Sequence, residues 1–324
     1  MANKISVAMC TYNGEKFINQ QLDSILLQSL NVHEIIICDD GSNDKTIEIL
    51  ELYKSKYQAI IKIHLNDVNL RSVKNFEKAI SLCTGDYIFL SDQDDIWSDN
   101  KVEDYIKYFD QNPKIQCVAS NGYCIDENSI VYDKYAVWDA PEFLKEKNIH
   151  FNYFQIISYI SNIATGASFA FRKTLVKNII PFPIIKNFHH DEWIALIASS
   201  NEAFVLLNEK YFYYRIHQQQ QVGGIFYNKT DASKDTLIRV FDLNSEKELF
   251  KSYKRQLKKL SSSYKKNQKN LLQNKDKYKE LFERNLVEIR HLYKERRMLM
   301  KKKFPIQYAW MIVYDFFSNK RKIN

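Results

Sequence analysis

Four short apolar runs, each closed by a polar cluster, constrain this chain more than anything else in it. They are Ile5 to Cys10, Glu34 to Cys38, Ile60 to Leu65 and Tyr87 to Leu90. Stretches with helical spacing lie between them: Phe17, Leu22, Ile25 and Leu26 after the first run, about Asp44 to Lys56 after the second, and Phe76, Ala79, Ile80 and Leu82 after the third. Strand-sized apolar runs alternating with helix-sized amphipathic ones predict βαβ units and a mostly parallel sheet. In such sheets ligands bind beyond the carboxyl ends of the strands, so the residues that close the runs are the ones to read for chemistry.

Three closing segments should line one crevice: Cys10-Thr11-Tyr12-Asn13-Gly14, Cys38-Asp39-Asp40-Gly41-Ser42 and Ser91-Asp92-Gln93-Asp94-Asp95. Thr11 and Tyr12 are placed to contact a base and ribose, and Asp39 or Asp40 to accept the imide N–H of a uracil or thymine ring. Asp40-Gly41-Ser42-Asn43-Asp44 also has the composition of a turn and helix cap. In Ser91-Asp92-Gln93-Asp94-Asp95-Ile96-Trp97 three carboxylates crowd behind one strand, ahead of a helix starting near Ser98. Crowded carboxylates repel unless a cation joins them, and hard oxygen ligands suit Mg²⁺ or Mn²⁺, which keep open positions for phosphate oxygens.

Composition narrows the classes. A chain of 324 residues with 45% hydrophobic content can bury one large or two modest cores. Its five cysteines, Cys10, Cys38, Cys83, Cys117 and Cys124, form no CxxC pair and read as buried reduced thiols, which fits a reducing cytosol. Met1 to Lys4 runs directly into the first strand, so no secretory leader is expected, and no apolar window reaches the length of a membrane span. Charge divides the chain: residues 245–324 hold 23 Lys+Arg and 8 Asp+Glu, whereas the 244 before them hold 24 and 31. Polar sequence around Asn228 to Lys234 marks the boundary, giving units 1–228 and 229–324.

In their order along the chain these motifs resemble the family-2 glycosyltransferases, inverting enzymes with the nucleotide-sugar-binding GT-A fold. The resemblance runs from Ile5 to about Gly224. Thr11-Tyr12-Asn13 looks like the first-strand nucleotide motif, Asp39-Asp40-Gly41-Ser42 with Asp44 and Thr46 like the second, and Asp92-Gln93-Asp94 like the metal-and-nucleotide Asp-x-Asp. Arg71 falls where such enzymes approach the base or phosphates. Farther on, Gly166 to Arg172 looks like the strand beneath the sugar, and His189-His190-Asp191-Glu192-Trp193 stands where the family carries its catalytic base. The resemblance implies that Asp191 is that base, with Glu192 the competing choice because His190 replaces the usual preceding Glu. It implies a sugar or acceptor pocket drawn from Asp95, Trp97, Gly166, His190, Glu192 and Trp193, and a metal, Mn²⁺ or Mg²⁺, held by Asp94 and His217 of Tyr213-Tyr214-Arg215-Ile216-His217. The polar segment Gln218 to Gly224 has the composition of a loop that closes over a donor. The wording of the motifs is most similar to the rhamnosyltransferase branch, which implies dTDP-β-L-rhamnose as donor; a UDP-hexose or UDP-N-acetylhexosamine is the alternative.

The basic unit is another kind of sequence. Residues 246–303 are rich in Lys, Glu, Leu and Tyr, with Leu281, Phe282, Leu286, Ile289, Leu292 and Tyr293 at helical spacing, which predicts one or more long helices. Residues 304–317 are aromatic-rich, too short to span a bilayer and bracketed by Lys301-Lys302-Lys303 and Lys320-Arg321-Lys322, the pattern of an interfacial membrane helix. Packing on the rest of the chain or in a homo-oligomer is the competing reading. Neither zinc-finger spacing nor an RNA-recognition motif accompanies the charge, so no specific nucleic-acid partner is expected. Two functions follow: a transferase acting on a lipid-linked or growing cell-surface glycan from the cytoplasmic face of the membrane, or a non-catalytic sugar-nucleotide-binding scaffold.

Overall fold

The computed structural model describes residues 3–218, 220, 226–274, 277–318, 321 and 323. The chain begins with β1 (Ile5–Thr11), α1 (Ile18–Leu26), β2 (Glu34–Asp39), α2 (Thr46–Lys56), β3 (Ile61–Leu65), α3 (Arg71–Leu82) and β4 (Tyr87–Ser91), the alternation expected from the sequence. It continues through β5 (Ile96–Trp97), α4 (Lys101–Gln111), β6 (Cys117–Ile125), β7 (Val131–Tyr132), β8 (Lys134–Ala136), α5 (Ala140–Glu146), the short α6 (Tyr153–Gln155), β9 (Ala170–Arg172) and the single turn α7 (Val176–Ile179). The last elements are α8 (His190–Ser200), β10 (Phe204–Arg215), β11 (Phe226–Asn228), α9 (Asp231–Phe241), α10 (Phe250–Gln273), α11 (Lys279–Lys303) and α12 (Pro305–Ser318).

These elements form two compact units. The first holds residues 1–139, 164–184 and 189–229, and the second 140–163, 185–188 and 230–324. The chain crosses between the units for the last time after Lys229, and residues 140–163 and 185–188 belong to the helical unit although they precede that point.

The first unit is a mixed sheet in the order β3-β2-β1-β4-β9-β6-β10-β5. β3, β2, β1 and β4 are mutually parallel, β9 runs antiparallel to both β4 and β6, and β10 is parallel to β6. Val7, Ala8 and Met9 of β1 and Ile35 and Ile37 of β2 are buried on both faces, which is why these strands read as unbroken apolar runs. α1 packs by Ile18, Leu22 and Ile25, spaced as one helical face. The long β10 shifts register between Leu207 and Lys210 and again between Lys210 and Tyr213. Such irregularities re-aim a strand end, and this one ends at Arg215, two residues before His217.

In the second unit α10 and α11 pack along Tyr253, Leu257, Leu260 and Tyr264 on one helix and Phe282, Ile289, Tyr293 and Met300 on the other. Asn285 and Arg296 continue the α11 stripe and are buried too. Asn285 donates to Ser158 Oγ and to Asn267 Oδ1, both at 3.0 Å, so the helix pair is pinned by a polar contact as well as by apolar burial. α12 opens with Pro305 and leaves Ile306, Trp310, Val313 and Tyr314 exposed at 73%, 73%, 55% and 53%, a stripe at helical spacing. None of the described helices is long and apolar enough to cross a membrane.

Candidate active site

The β1 and β2 ends are stitched together. Asp39 accepts Thr11 Oγ1 at 2.7 Å and Ser42 Oγ at 2.6 Å on one oxygen, and the N–H groups of Gly41 and Ser42 at 3.1 and 2.8 Å on the other. All four of its lone-pair directions are thus filled from within the chain. Asp40 accepts Leu70 N–H at 2.6 Å, Asn66 Nδ2 at 2.8 Å and Arg71 N–H at 2.8 Å, which fastens the start of α3. Arg71 has φ +59°, a left-handed conformation costly for a residue with a Cβ, and its side chain is exposed. Asn13 is also left-handed, at φ +52°, and its side chain accepts Asn43 N–H at 2.9 Å. Tyr12 is exposed, and its main chain is gripped on both sides by Gln93, whose Oε1 accepts Tyr12 N–H at 2.8 Å and whose Nε2 donates to Tyr12 O at 3.0 Å. Gly14 permits this, because a Cβ there would collide with the Gln93 amide.

The β4 end is different. Asp92 and Asp95 lie close to each other and to Asp94, and burial together with these like charges pushes both carboxyls above the usual range. Asp95 accepts Arg215 N–H at 2.9 Å on one oxygen, while its buried Oδ2 has no partner. Asp94 Oδ2 sits 2.9 Å from His217 Nε2, and His217 packs on Phe17 with ring centroids 5.0 Å apart.

The residues expected from the sequence to lie on the acceptor side come from the approach to β9 and from α8. Gly166 lies against His190: a Cβ on it would stand 2.7 Å from His190 Nε2. His190 stacks on Phe76 at 4.0 Å, neither ring nitrogen has a partner, and burial depresses it to about 3, so it is neutral. Asp191, in the first turn of α8, takes Glu192 N–H at 2.7 Å. Burial pushes the Asp191 carboxyl up to about 7 against the opposing hydrogen bonds from Glu192 and Gly166 N–H, and its charge is felt by Asp92 across the site. Glu192 is buried. Trp193 lies in the core, donating Nε1–H to Ile179 O at 2.7 Å, and Trp97 is equally buried. Both indoles are thus walls behind the site rather than open faces on which a sugar stacks.

Two residues that sequence reading did not assign hold this cluster. Lys101 is fully buried with Nζ 2.7 Å from Ala167 O and 3.9 Å from the centre of the Trp97 ring, in the field of Asp95 and Asp92. Burial drives its pKa well below that of a free lysine. Arg215, also buried, donates to Asp94 O at 2.7 Å, Asp126 O at 2.9 Å, Ser129 Oγ at 3.0 Å and Gln20 Oε1 at 2.6 Å, with its guanidinium 4.5 Å from the Phe17 ring centre. The signal for Lys101 was present: Lys101, Tyr105 and Phe109 recur on one face of α4. Gln219 and residues 221–224 of the polar segment after His217 lie outside the described residues, as do Lys320 and Lys322.

Among the described residues, no group of three or more His, Cys, Asp or Glu side chains is arranged to hold a metal by itself. The Asp94–His217 pair offers two ligands, one oxygen and one nitrogen. Divalent cations that bind nucleotides take one or two protein ligands and complete their shell with phosphate oxygens and water, so this pair fits such an ion.

Residues 6–180 match the family described as Glycosyl transferase family 2. The chain is 30% identical over 244 residues to the dTDP-rhamnosyl transferase RfbG of Shigella flexneri, covering 71% of this chain and 79% of that one. It is 26% identical over 198 residues to the UDP-Glc:alpha-D-GlcNAc-diphosphoundecaprenol beta-1,3-glucosyltransferase WfgD of Escherichia coli, covering 61% and 71%. Among solved structures, S. aureus TarS 1-349 in complex with UDP-GlcNAc superposes with a TM-score of 0.54 at 17% identity, over 93% of this chain and 91% of that one.

Proposed function

This chain belongs to glycosyl transferase family 2 and has the GT-A fold, and from that premise we propose an inverting transferase that moves L-rhamnose from dTDP-β-L-rhamnose to a hydroxyl of a lipid-linked or growing cell-surface glycan. The observation that carries the catalytic part is the meeting of Asp92 and Asp94 at the end of β4 with Asp191 from the first turn of α8, close enough that their charges repel, beside the orphaned Oδ2 of Asp95. The acceptor oxygen attacks the anomeric carbon as the bond from that carbon to the diphosphate oxygen breaks, and the electron pair leaves with the diphosphate. Asp191 takes the acceptor proton, and its raised carboxyl, near 7, makes it a stronger base than a free aspartate. Asp94 and His217 would hold Mn²⁺ or Mg²⁺, which would supply Lewis-acid stabilisation of the charge accumulating on the leaving group. Arg215 fixes the segment that carries Asp94 and Asp95, Lys101 ties the Ala167 carbonyl to the Trp97 ring behind it, and Gln93 fixes the Tyr12 loop on which the nucleoside rests.

Rhamnose is favoured by the wording of the motifs and by the named relative of Shigella flexneri; a UDP-hexose or UDP-N-acetylhexosamine donor is the second reading, favoured by the Escherichia coli relative. The exposed stripe of Ile306, Trp310, Val313 and Tyr314, after Lys301-Lys302-Lys303, supports work at the inner face of the cell membrane. The test is thermal stabilisation by dTDP-rhamnose, UDP-glucose, UDP-N-acetylglucosamine and GDP-mannose, each with Mn²⁺ and with chelator. A metal-dependent shift selective for dTDP-rhamnose is expected. A UDP-sugar winner would replace the donor, and the absence of any shift would end the transferase reading.

A further inference from the structure

A buried lysine persists only where its surroundings answer the charge. Lys101 and Tyr105 stand four residues apart on α4, hence on one face of it, and neither is exposed to solvent. Both reach the chain just ahead of β9: Lys101 Nζ donates to Ala167 O at 2.7 Å, and Tyr105 Oη donates to Ser168 O at 2.7 Å. Adjacent carbonyls are thus held from successive turns of one helix. The field of Asp95 and Asp92 and the Trp97 ring, 3.9 Å away, offset the cost of the buried ammonium.

The segment held in this way is the single 3₁₀ turn Gly166–Ser168. Ser168 Oγ closes it on Thr165 O at 2.8 Å, and Phe169 N–H closes it on Gly166 O at 2.9 Å. Leu90 N–H of β4 donates to Phe169 O at 2.9 Å, so the turn is also fastened to the strand that ends in the acidic cluster. Its other side meets α8. A Cβ on Gly166 would stand 2.7 Å from His190 Nε2, and the Gly166 N–H donates to the Asp191 carboxylate.

We propose that Lys101 and Tyr105 are positioning residues for the transfer reaction: by holding the 166–168 turn they keep the Gly166 N–H on the carboxylate of Asp191 and the Gly166 backbone against His190. The proposal rests on the reading of Asp191 as the base. An N–H given to a carboxylate stabilises its charged form, which is the form that takes a proton. Other groups facing Asp191 act against that form or leave it alone: Glu192 on α8 and Asp92 at the end of β4 are like charges, His190 is neutral, and burial and the surrounding carboxylates keep the Tyr214 phenol of β10 protonated. The N–H groups of Gly166, Glu192 and Asp191 itself oppose them. Of these donors only Gly166 lies outside α8, so only its contribution depends on where another segment is held.

The full chain, carrying ¹³C-labelled aspartate, is titrated without metal by carboxyl NMR, with Asp191→Asn identifying the Asp191 signal. Tyr105→Phe keeps the ring and removes one tie, and Lys101→Met keeps the stem and removes the other. Tyr105 Oη also meets Ser120, so Ser120→Ala removes that contact and spares the turn. The Asp191 carboxyl should titrate about half a pH unit higher, or more, in Tyr105→Phe and in Lys101→Met, and within about 0.2 of the native protein in Ser120→Ala. A shift in Lys101→Met alone would assign the effect to the ammonium charge; no shift in either, or an equal one in Ser120→Ala, would remove the tie, and each of these results overturns the proposal. Donor hydrolysis with Mn²⁺, using dTDP-rhamnose or whichever UDP-sugar stabilises the chain, separates this from the base reading. Tyr105→Phe should lower kcat by about tenfold with KM changed less than about twofold. Native turnover in Asp191→Asn would sink the base reading itself, whereas loss of turnover in Asp191→Asn with native kcat and titration in Tyr105→Phe would sink the positioning role alone.

Discussion

The two acidic clusters at neighbouring strand ends look alike as sequence and behave as opposites in the fold. Asp39 and Asp40 close β2, and between them they accept seven hydrogen bonds from side chains and backbone N–H groups, counted from the Thr11, Ser42, Gly41, Asn66, Leu70 and Arg71 contacts. Asp92, Asp94 and Asp95 close β4, meet Asp191, and are short of donors: Asp95 Oδ2 is orphaned, and the Asp92, Asp95 and Asp191 carboxyls are all raised. Charge satisfied by the backbone builds a scaffold, whereas charge held together without donors waits for a cation and a proton. Asp95 is as buried as Asp39 and Asp40, so between these it is the donor count and not burial that differs.

The contrast breaks most readily at Asp191. Asp191→Asn keeps the side-chain volume and the Glu192 N–H contact but cannot take a proton, so kcat should fall by about 10²- to 10⁴-fold, while donor-induced stabilisation survives. A variant that keeps transferase activity would move the base to Glu192 or elsewhere. Asp40→Ala should do the reverse. It strands the N–H of Leu70, leaves that of Arg71 with only Asn69 Oδ1 and removes the hold on a left-handed residue at the start of α3, a loss of about 2 kcal/mol in unfolding free energy. Denaturant unfolding measures it, and a loss below about 1 kcal/mol would show that Asp40 is not what fastens the helix.

Next in size is the cation. Asp94→Asn halves the Asp94–His217 pair without touching the backbone contacts of Arg215, which go to the Asp94 carbonyl. Mn²⁺-dependent stabilisation in the presence of nucleotide should weaken tenfold or more in this variant, and melting without metal should be unchanged or slightly higher as one repelling charge is removed. An unchanged response to Mn²⁺ would exclude Asp94 as a ligand.

Much of this was legible before any coordinates. The four apolar runs and the helices between them stand where the alternation placed them, because strands buried on both faces cannot hide their composition. The convergence of the three strand ends follows from parallel topology. What stayed hidden was which aspartate was satisfied: Asp39-Asp40-Gly41 and Asp92-Gln93-Asp94 differ little as strings, and only partners distant in sequence, Leu70, Arg71 and Arg215 among them, tell them apart. Trp97 and Trp193 read as pocket aromatics because exposure is not written in sequence, yet both are core. Lys101 and Arg215 were missed for the converse reason, since charged residues are ordinarily assigned to the surface.

The smallest effect is the most specific. A carboxyl whose folded pKa lies above its unfolded value binds more protons in the folded state, so it detracts from stability once pH exceeds the unfolded value near 4 and does so in full above the folded one. For Asp191 that window runs from about 4 to about 7. The raised Asp191 and Asp92 carboxyls of the metal-free protein should therefore each contribute a gain in stability, on the order of 1 kcal/mol, as pH is lowered from 8 to 5.5. His190 opposes this below about pH 6.5, because the fold holds it neutral while the unfolded chain protonates it. Glu34 is depressed to about 2 by Lys62, Ser6 and Thr84, and its contribution is lost only as pH falls from about 4.5 toward 2, so it leaves this window undisturbed. Asp92→Asn should flatten the gain, because it removes both a raised carboxyl and part of the repulsion that raises Asp95. Saturating Mn²⁺ and nucleotide should flatten it too, by supplying the counter-charge. A slope that survives both treatments would place its source outside the strand-end cluster.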